Sequence, residues 1–407
     1  MVTKKVFTNP MKILILCTKL PYPPIDGGSI ATLSMARGLA ACGFRVSLLT
    51  FNTKKHYFNP ADIPSELKAA IDFHFIEIDT SPKVFKAALN LLFSRKAFIA
   101  SRYKSSDFSL ALSALLKKTD FDIVQLEGPY LQQYISLIRK HSTAPVALRA
   151  HNVEHEIWER RWKNTTQGIE RFYYRNLSKR ICRLEKTILK EIDFLVAISE
   201  RDKSMLQSFN REVKAISIPA GIDLSAYTSR SWKKTMNIGF IGALDWAPNQ
   251  EGLRWMLKEI LPGIRAAGII LHIAGRNAPP DIRELLRQEG IKFHDEVNDA
   301  IHYITSFGIM VVPLLSGSGI RIKILEALAL ERCIITTSIG AEGIPAEDGR
   351  HLMIADRADD FAEKIIQAVK DPEMSLSLGQ EGRKLIEEKF DTFALASQLG
   401  EFYTKKT

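Results

Sequence analysis

No two of the four cysteines, Cys17, Cys42, Cys182 and Cys333, stand in a Cys-x-x-Cys spacing. Three lie inside apolar runs, so buried, reduced thiols are expected rather than a redox pair or a disulfide frame. No uncharged apolar run approaches the ~18 residues that span a bilayer. The opening MVTKKVFTNP carries charge without an apolar segment, and no signal peptide is expected. The first turn lacks the Gly-x-Gly-x-x-Gly fingerprint, which argues against a nicotinamide enzyme, and the absence of Gly-Lys-Ser/Thr excludes a Walker A loop. Zinc-finger spacing and RNA-binding signatures are also missing, so no nucleic-acid partner is expected.

What remains is an ordinary globular composition in a long chain. The 407 residues are 46% hydrophobic and 25% charged, which argues against disorder and for two domains. The formal charge is +10. Residues 80–106 hold Lys83, Lys86, Arg95, Lys96, Arg102 and Lys104 without an acidic residue, interleaved with apolar side chains. A second basic stretch covers 160–186. Two readings stand: peripheral contact with an anionic membrane, or a solvated helix packed on its own domain. The expected location is cytoplasmic, at or near the inner face of the cytoplasmic membrane.

Short, almost continuously apolar runs at 12–18, 46–51, 73–78, 123–126, 146–148 and 194–198 alternate with helical stretches. The helices are expected at 29–41, 110–118, 130–141 and, as one long element, within 156–190. Strands apolar on both faces are buried and parallel, and the alternation specifies an α/β doubly wound sheet. At 219–234 the texture becomes polar and turn-rich, a linker. The rhythm then restarts with strands at 237–241, 269–274, 291–293, 309–313, 334–337 and 351–354. Two Rossmann-like domains are predicted, 11–225 and 233–390, with the last helix (391–407) packing back on the first. Their strand carboxyl ends would face a central cleft suited to a large polar ligand.

Three stretches carry chemistry. PLLSGSGIRIKILEA (313–327) reads as strand, Gly-Ser-Gly turn and helix. Glycines let a ligand approach the backbone, and helix-start N–H groups favour phosphate. Arg321 and Lys323 at a helix start are unfavourable for its dipole unless an anion sits there. Glu326, on the first turns, can reach hydroxyls of the same ligand. The second stretch is PYPPIDGGS (21–29), whose Gly27–Gly28 pair precedes a helix beginning near Ser29. The third is RAHNVE (149–154), where His151 follows a strand and projects from its carboxyl end.

In order and spacing, these features resemble glycosyltransferase family 4, the retaining GT-B group, over nearly the whole chain. VAISE (196–200) and IPAGID (218–223) belong to the same likeness, and DWAPN and GSGIRIKILEA resemble the bacterial polysaccharide or glycan-assembly subgroup. The resemblance implies transfer of a sugar from a nucleotide-sugar donor to a glycan or lipid-linked acceptor, with anomeric retention. It assigns Gly27 and Gly28 to the donor phosphates or sugar, and His151 to the sugar at the reaction centre. Arg321 and Lys323 fall to the leaving diphosphate, and Glu326 to the ribose. Gly317, Ser318, Gly319 and Ile320 form the phosphate turn, while the backbone near Glu296 and Val297 meets the base. No metal cofactor is implied. The chain departs at Ser318, where the family has the first of two glutamates, and at Ala220, in place of an asparagine. It also departs at 242–252, which lack the family's Arg and Lys; Arg321 and Lys323 would replace those cations.

Two rival classes share this architecture: a nucleotide-sugar 2-epimerase or hydrolase, and an inactive nucleotide-sugar-binding protein. His151 to His155 formally matches the His-x-x-Glu-His zinc pattern, but those histidines need one helix face, and His151 follows a strand. Asp120-Phe121-Asp122 resembles a metal-binding Asp-x-Asp, and its place before a strand makes it a turn.

Overall fold

The structure, a computed structural model, describes residues 11–80, 98–166, 168–228, 235–317 and 319–406. Lys83, Lys86, Arg95, Lys96 and Ser318 lie outside the described residues. The chain divides into two compact units, Met1–Gly221 with Thr392–Thr407, and Ile222–Asp391.

The first unit is built on seven parallel strands: β1 (Lys12–Cys17), β2 (Arg45–Thr53), β3 (Ile71–Ile78), β4 (Ile123–Glu127), β5 (Val146–Ala150), β6 (Phe194–Ala197) and β7 (Lys214–Ser217). Their spatial order is β3-β2-β1-β4-β5-β6-β7. Every residue of β4, β5 and β6 is buried, which is why these segments read as unbroken apolar runs rather than alternating ones. The half-exposed edge strand β7 lacks that signal and was not anticipated from the sequence.

The second unit repeats the plan with β8 (Asn237–Ile241), β9 (Ile270–Ala274), β10 (Ile291–His294), β11 (Ile309–Val312), β12 (Cys333–Thr336) and β13 (Met353–Ile354). The order is β10-β9-β8-β11-β12-β13, again parallel. Each sheet thus reverses its winding once, between β1 and β4 and between β8 and β11. At that reversal the loops leaving neighbouring strands diverge and open a crevice at the carboxyl ends. The stretches after β1, β4, β8 and β11 are therefore the ones placed to hold a ligand.

Local chemistry adjusts several expected boundaries. The helix after β1 runs Gly27–Ala41, so Gly27 and Gly28 are its first residues rather than a loop before it. Asp26 is its N-cap, accepting from the Ser29 N–H at 3.0 Å. The single long helix expected within 156–190 is two, Glu154–Asn164 and Gly168–Glu191. Thr165, Thr166 and Gly168 are poor helix formers, and the break falls among them. The C-terminal helix Thr392–Lys406 packs on Gly27–Ala41, where a Cβ at Gly38 would stand 2.8 Å from Ala396 Cβ. Tyr403 at its far end donates to Gln125 Oε1 on β4 at 2.6 Å. No helix among the described residues is long and apolar enough to cross a membrane.

One backbone approach positions the second unit's loops. The helix Ala247–Trp255 lies so close to the end of β11 that a Cβ at Gly252 would fall 1.9 Å from the Pro313 carbonyl oxygen. Gly252→Ala must push that helix away, and we expect a loss of ~1–3 kcal/mol, read from urea unfolding; an unchanged midpoint would show the contact to be slack.

Candidate functional site

In the second unit, β11 runs into the glycine turn and the helix Ile322–Ala329. Gly317 has φ +114° and Gly319 φ +80°, a region that side chains enter at a cost, so the turn depends on both. Space matters too: a Cβ at Gly317 would sit 2.9 Å from Arg321 Nη2. Arg321 is the N-cap, and no side chain caps the helix. The guanidinium is buried, 5.8 Å from the ring centre of Trp246, which leaves β8's loop to cover it.

Lys323, one turn-step further, is half-buried and donates to Asn249 Oδ1 at 2.9 Å. Its ammonium also lies 4.9 Å from the Phe240 ring centre. Burial, and then the neighbouring Arg321 charge, push its pKa down to about 7. Two cations thus stand at the positive end of one helix, one of them near half-protonation at neutral pH. Glu326 accepts from Tyr227 Oη at 2.8 Å, and burial raises its pKa. The sequence thus brings Arg321, Lys323, Glu326, Gly317, Gly319 and Ile320 onto one turn and the helix it feeds. Glu296 and Val297 stand on the loop after β10, Glu296 exposed and Val297 half-buried. Tyr227 was not singled out from the sequence, and Trp246 and Asn249 entered only within the DWAPN stretch, without a role; all three sit far along the chain from the turn.

The first unit gathers its polar groups at the carboxyl ends of β4 and β5. Glu127 closes β4 and is buried. Its Oε2 accepts from Thr32 Oγ1 (2.9 Å) and Arg149 Nη1 (3.3 Å) and lies 2.5 Å from His151 Nε2. Gln125 Nε2 donates to Oε1 at 2.6 Å. Burial alone would raise this carboxyl's pKa, but the charges of Arg149 and His151 outweigh it and hold it at about 2. A charged acceptor on Nε2 sets the imidazole's orientation, so His151 is a fixed side chain rather than a loose one. Gly27 and Gly28 begin the helix that also supplies Thr32, and Asp26 before them pairs with Lys19 at 2.5 Å. Glu127 was missed from the sequence: one acidic residue ending an apolar run carries no signal until the fold surrounds it with donors.

A pair of acidic residues follows, Glu154 and Glu185. Glu154 accepts from Tyr130 Oη at 2.7 Å, and burial, with Glu185 nearby, raises its pKa to about 7. Glu185, buried in the helix Gly168–Glu191, accepts from the Glu154 N–H at 2.7 Å and contacts His155 Nδ1 at 2.6 Å. His155 therefore belongs to a buried ion pair, on a helix, while His151 follows a strand, and the two are not arranged as a zinc motif. Asp122 accepts from the Lys12 N–H at 2.7 Å, a turn role. Among the described residues no group of three or more His, Cys, Asp or Glu is placed to hold a metal.

Two all-parallel sheets, each with its candidate ligand loops at the winding reversal, and a cationic glycine turn in the second are the architecture of a GT-B sugar transferase. The family comparison agrees. Residues 25–226 match the model of Glycosyltransferase Family 4, and residues 235–371 that of Glycosyl transferases group 1. The chain belongs to the family 4-like glycosyltransferases. It is similar to an uncharacterized 44.6 kDa protein in the cps region of Klebsiella pneumoniae, 26% identical over 95% of this chain and 98% of that one. In fold it is similar to sucrose-phosphate synthase from Thermosynechococcus elongatus (TM-score 0.72, 16% identity, covering 97% of this chain and 98% of that one). Anabaena HepE in complex with UDP (0.67, 12%, 97% and 100%) and TarM (0.70, 12%, 97% and 99%) share it.

Glu154 yields a stability test. With its pKa raised in the folded protein, the native state keeps a proton that the unfolded chain releases near pH 4–5. That contribution is complete at low pH and is lost as pH climbs through about 7. Glu154→Gln keeps an acceptor for Tyr130 without the charge, so the variant should gain on the wild type between pH 5 and pH 8. Parallel urea titrations at the two pH values decide it, and an equal gap at both would discard the raised pKa.

Proposed function

We propose that the protein transfers a sugar from a nucleoside-diphosphate sugar to a glycan or lipid-linked acceptor, with retention of anomeric configuration. The observation that carries this reading is the Gly317–Gly319 turn with Arg321 and Lys323 at the uncapped start of Ile322–Ala329. Breaking the anomeric C–O bond loads negative charge on the leaving diphosphate. Cations and N–H dipoles fixed before that charge appears lower the barrier by several kcal/mol. Burial that makes Lys323 ready to lose its proton also makes it gain most from an arriving anion.

Glu326 and its Tyr227 partner supply acceptors for donor hydroxyls, and His151, oriented by Glu127, serves the sugar. HepE has been solved with UDP-glucose, which supports a uridine donor as the first candidate. The cps-region relative supports an acceptor in polysaccharide assembly. Epimerisation at C2 is less favoured, because it needs a free acid–base pair. Glu185, the carboxylate beside Glu154, already spends its oxygens on the Glu154 N–H and His155.

Acceptor-dependent release of nucleotide from a panel of nucleotide sugars tests the reading; binding without turnover would leave an inactive receptor. Arg321→Ala and Lys323→Ala should each weaken nucleoside-diphosphate binding about tenfold or more, the ~1.4 kcal/mol of one charge-assisted contact, with unfolding midpoints nearly unmoved. Wild-type affinity should fall as pH rises from 6 to 8, because Lys323 starts neutral above about 7 and must take up a proton to hold the anion. Lys323→Arg, charged throughout, should flatten that profile, whereas a parallel slope would remove Lys323 from the phosphate site.

A further inference from the structure

The helix Ala247–Trp255 and its N-cap Trp246 border the glycine turn at both ends. Gly252 lies against Pro313, where the chain leaves β11, and Asn249 holds Lys323, where the turn has entered the next helix. Between those anchors Trp246 covers Gly317, whose added Cβ would stand 3.4 Å from Trp246 Cη2. Glu251 meets the same stretch, its Oε2 accepting from Ser316 Oγ, one residue before Gly317. The proposed transfer has so far given this carboxylate no task.

Its surroundings say what it can meet. Glu251 is exposed, and among the described residues no cation pairs with it, although Arg321 and Lys323 stand on the same turn and helix. Its second oxygen, Oε1, accepts from no described residue. A carboxylate placed to neutralise those cations would form a charge-assisted bond with one of them. Glu251 is instead tied down by a neutral hydroxyl, with one oxygen to spare. Once a diphosphate lies on Arg321 and Lys323, that oxygen is repelled by phosphate and suited to hydroxyl donors. A nucleoside-diphosphate sugar carries hydroxyls at both ends of its diphosphate, on the ribose and on the sugar. Glu326 with Tyr227 stands past the two cations, and Glu251 stands before them, at the other end of the turn.

We propose that Glu251 sets the class of sugar this protein takes from its donor. That class is a neutral, hydroxylated sugar, which donates to Oε1, and not a uronate, whose own carboxylate would be brought against Glu251. Like charge set against a wrong ligand excludes it more sharply than a lost contact does. The inference rests on the reading of the glycine turn as the seat of the diphosphate.

Calorimetric titration of the full chain with UDP, UDP-glucose and UDP-glucuronate tests it. The wild type is compared with Glu251→Gln, which keeps a partner for Ser316 and loses the charge. The wild type should bind UDP-glucose about tenfold or more tighter than UDP-glucuronate. In Glu251→Gln that gap should close to about threefold or less, with affinity for UDP unchanged. A side chain that merely held the turn in shape would move all three ligands together. Equal wild-type affinity for the two sugar nucleotides, a variant that keeps the full gap, or a loss shared with UDP overturns the proposal. GDP, GDP-mannose and GDP-mannuronate take the same roles if UDP does not bind. A chain that binds neither nucleotide loses the transferase reading and this inference with it, whereas nucleotide binding without discrimination against the uronate removes the inference alone.

Discussion

The carboxylate of Glu127 is a buried charge, and the carboxyl end of the first sheet is organised around keeping it one. An ion taken out of water costs several kcal/mol after relaxation, and only dense compensation makes it tolerable. Here Arg149 from β5, Gln125 from its own strand, Thr32 from the first helix and His151 beyond β5 all converge on its two oxygens. Gln125 is in turn held by Tyr403 of the C-terminal helix. Elements from residue 32 to residue 403 are thus tied into one cluster. Removing one partner from such a cluster leaves an uncompensated charge and costs about 3–5 kcal/mol. The imidazole of His151 takes its direction from this buried carboxylate.

The second unit solves the opposite problem. It crowds positive charge at a helix start: Arg321 is packed under Trp246, and Lys323 is held by a neutral amide. The helix dipole adds to that charge. Burial and the Arg321 charge together depress the Lys323 pKa, and in the proposed reading an arriving diphosphate would restore its proton. The two units share a topology and differ in how they treat charge: one surrounds a buried carboxylate with donors, the other sets two cations at one helix start.

Much of this was legible in the residues, for reasons that differ by element. Buried parallel strands leave continuous apolar runs, so β1, β4, β5, β6 and β11 stand out, while β7, a half-exposed edge strand, does not. The glycine turn at 317–319 is visible because φ above zero and close approach both call for glycine, and the cations beside it contradict the helix dipole. Glu127 and Glu185 were invisible, and DWAPN gave no hint of what Trp246 and Asn249 meet, since each acts through a partner between 22 and 75 residues away. Family resemblance supplied roles for His151 and Glu326 that neither residue announces by itself.

Taken alone, the order of residues determined the alternation of strands and helices, the division into two sheets, and the placement of a cationic glycine turn at a strand's end. Those follow from periodicity, chain stiffness and helix-end electrostatics, all of which act over a few neighbouring residues. Only the folded chain decided which charges are buried and how each is answered. Burial and hydrogen bonding are properties of assembled surfaces, so the ionised Glu127 and the depressed Lys323 pKa come into being when distant segments pack.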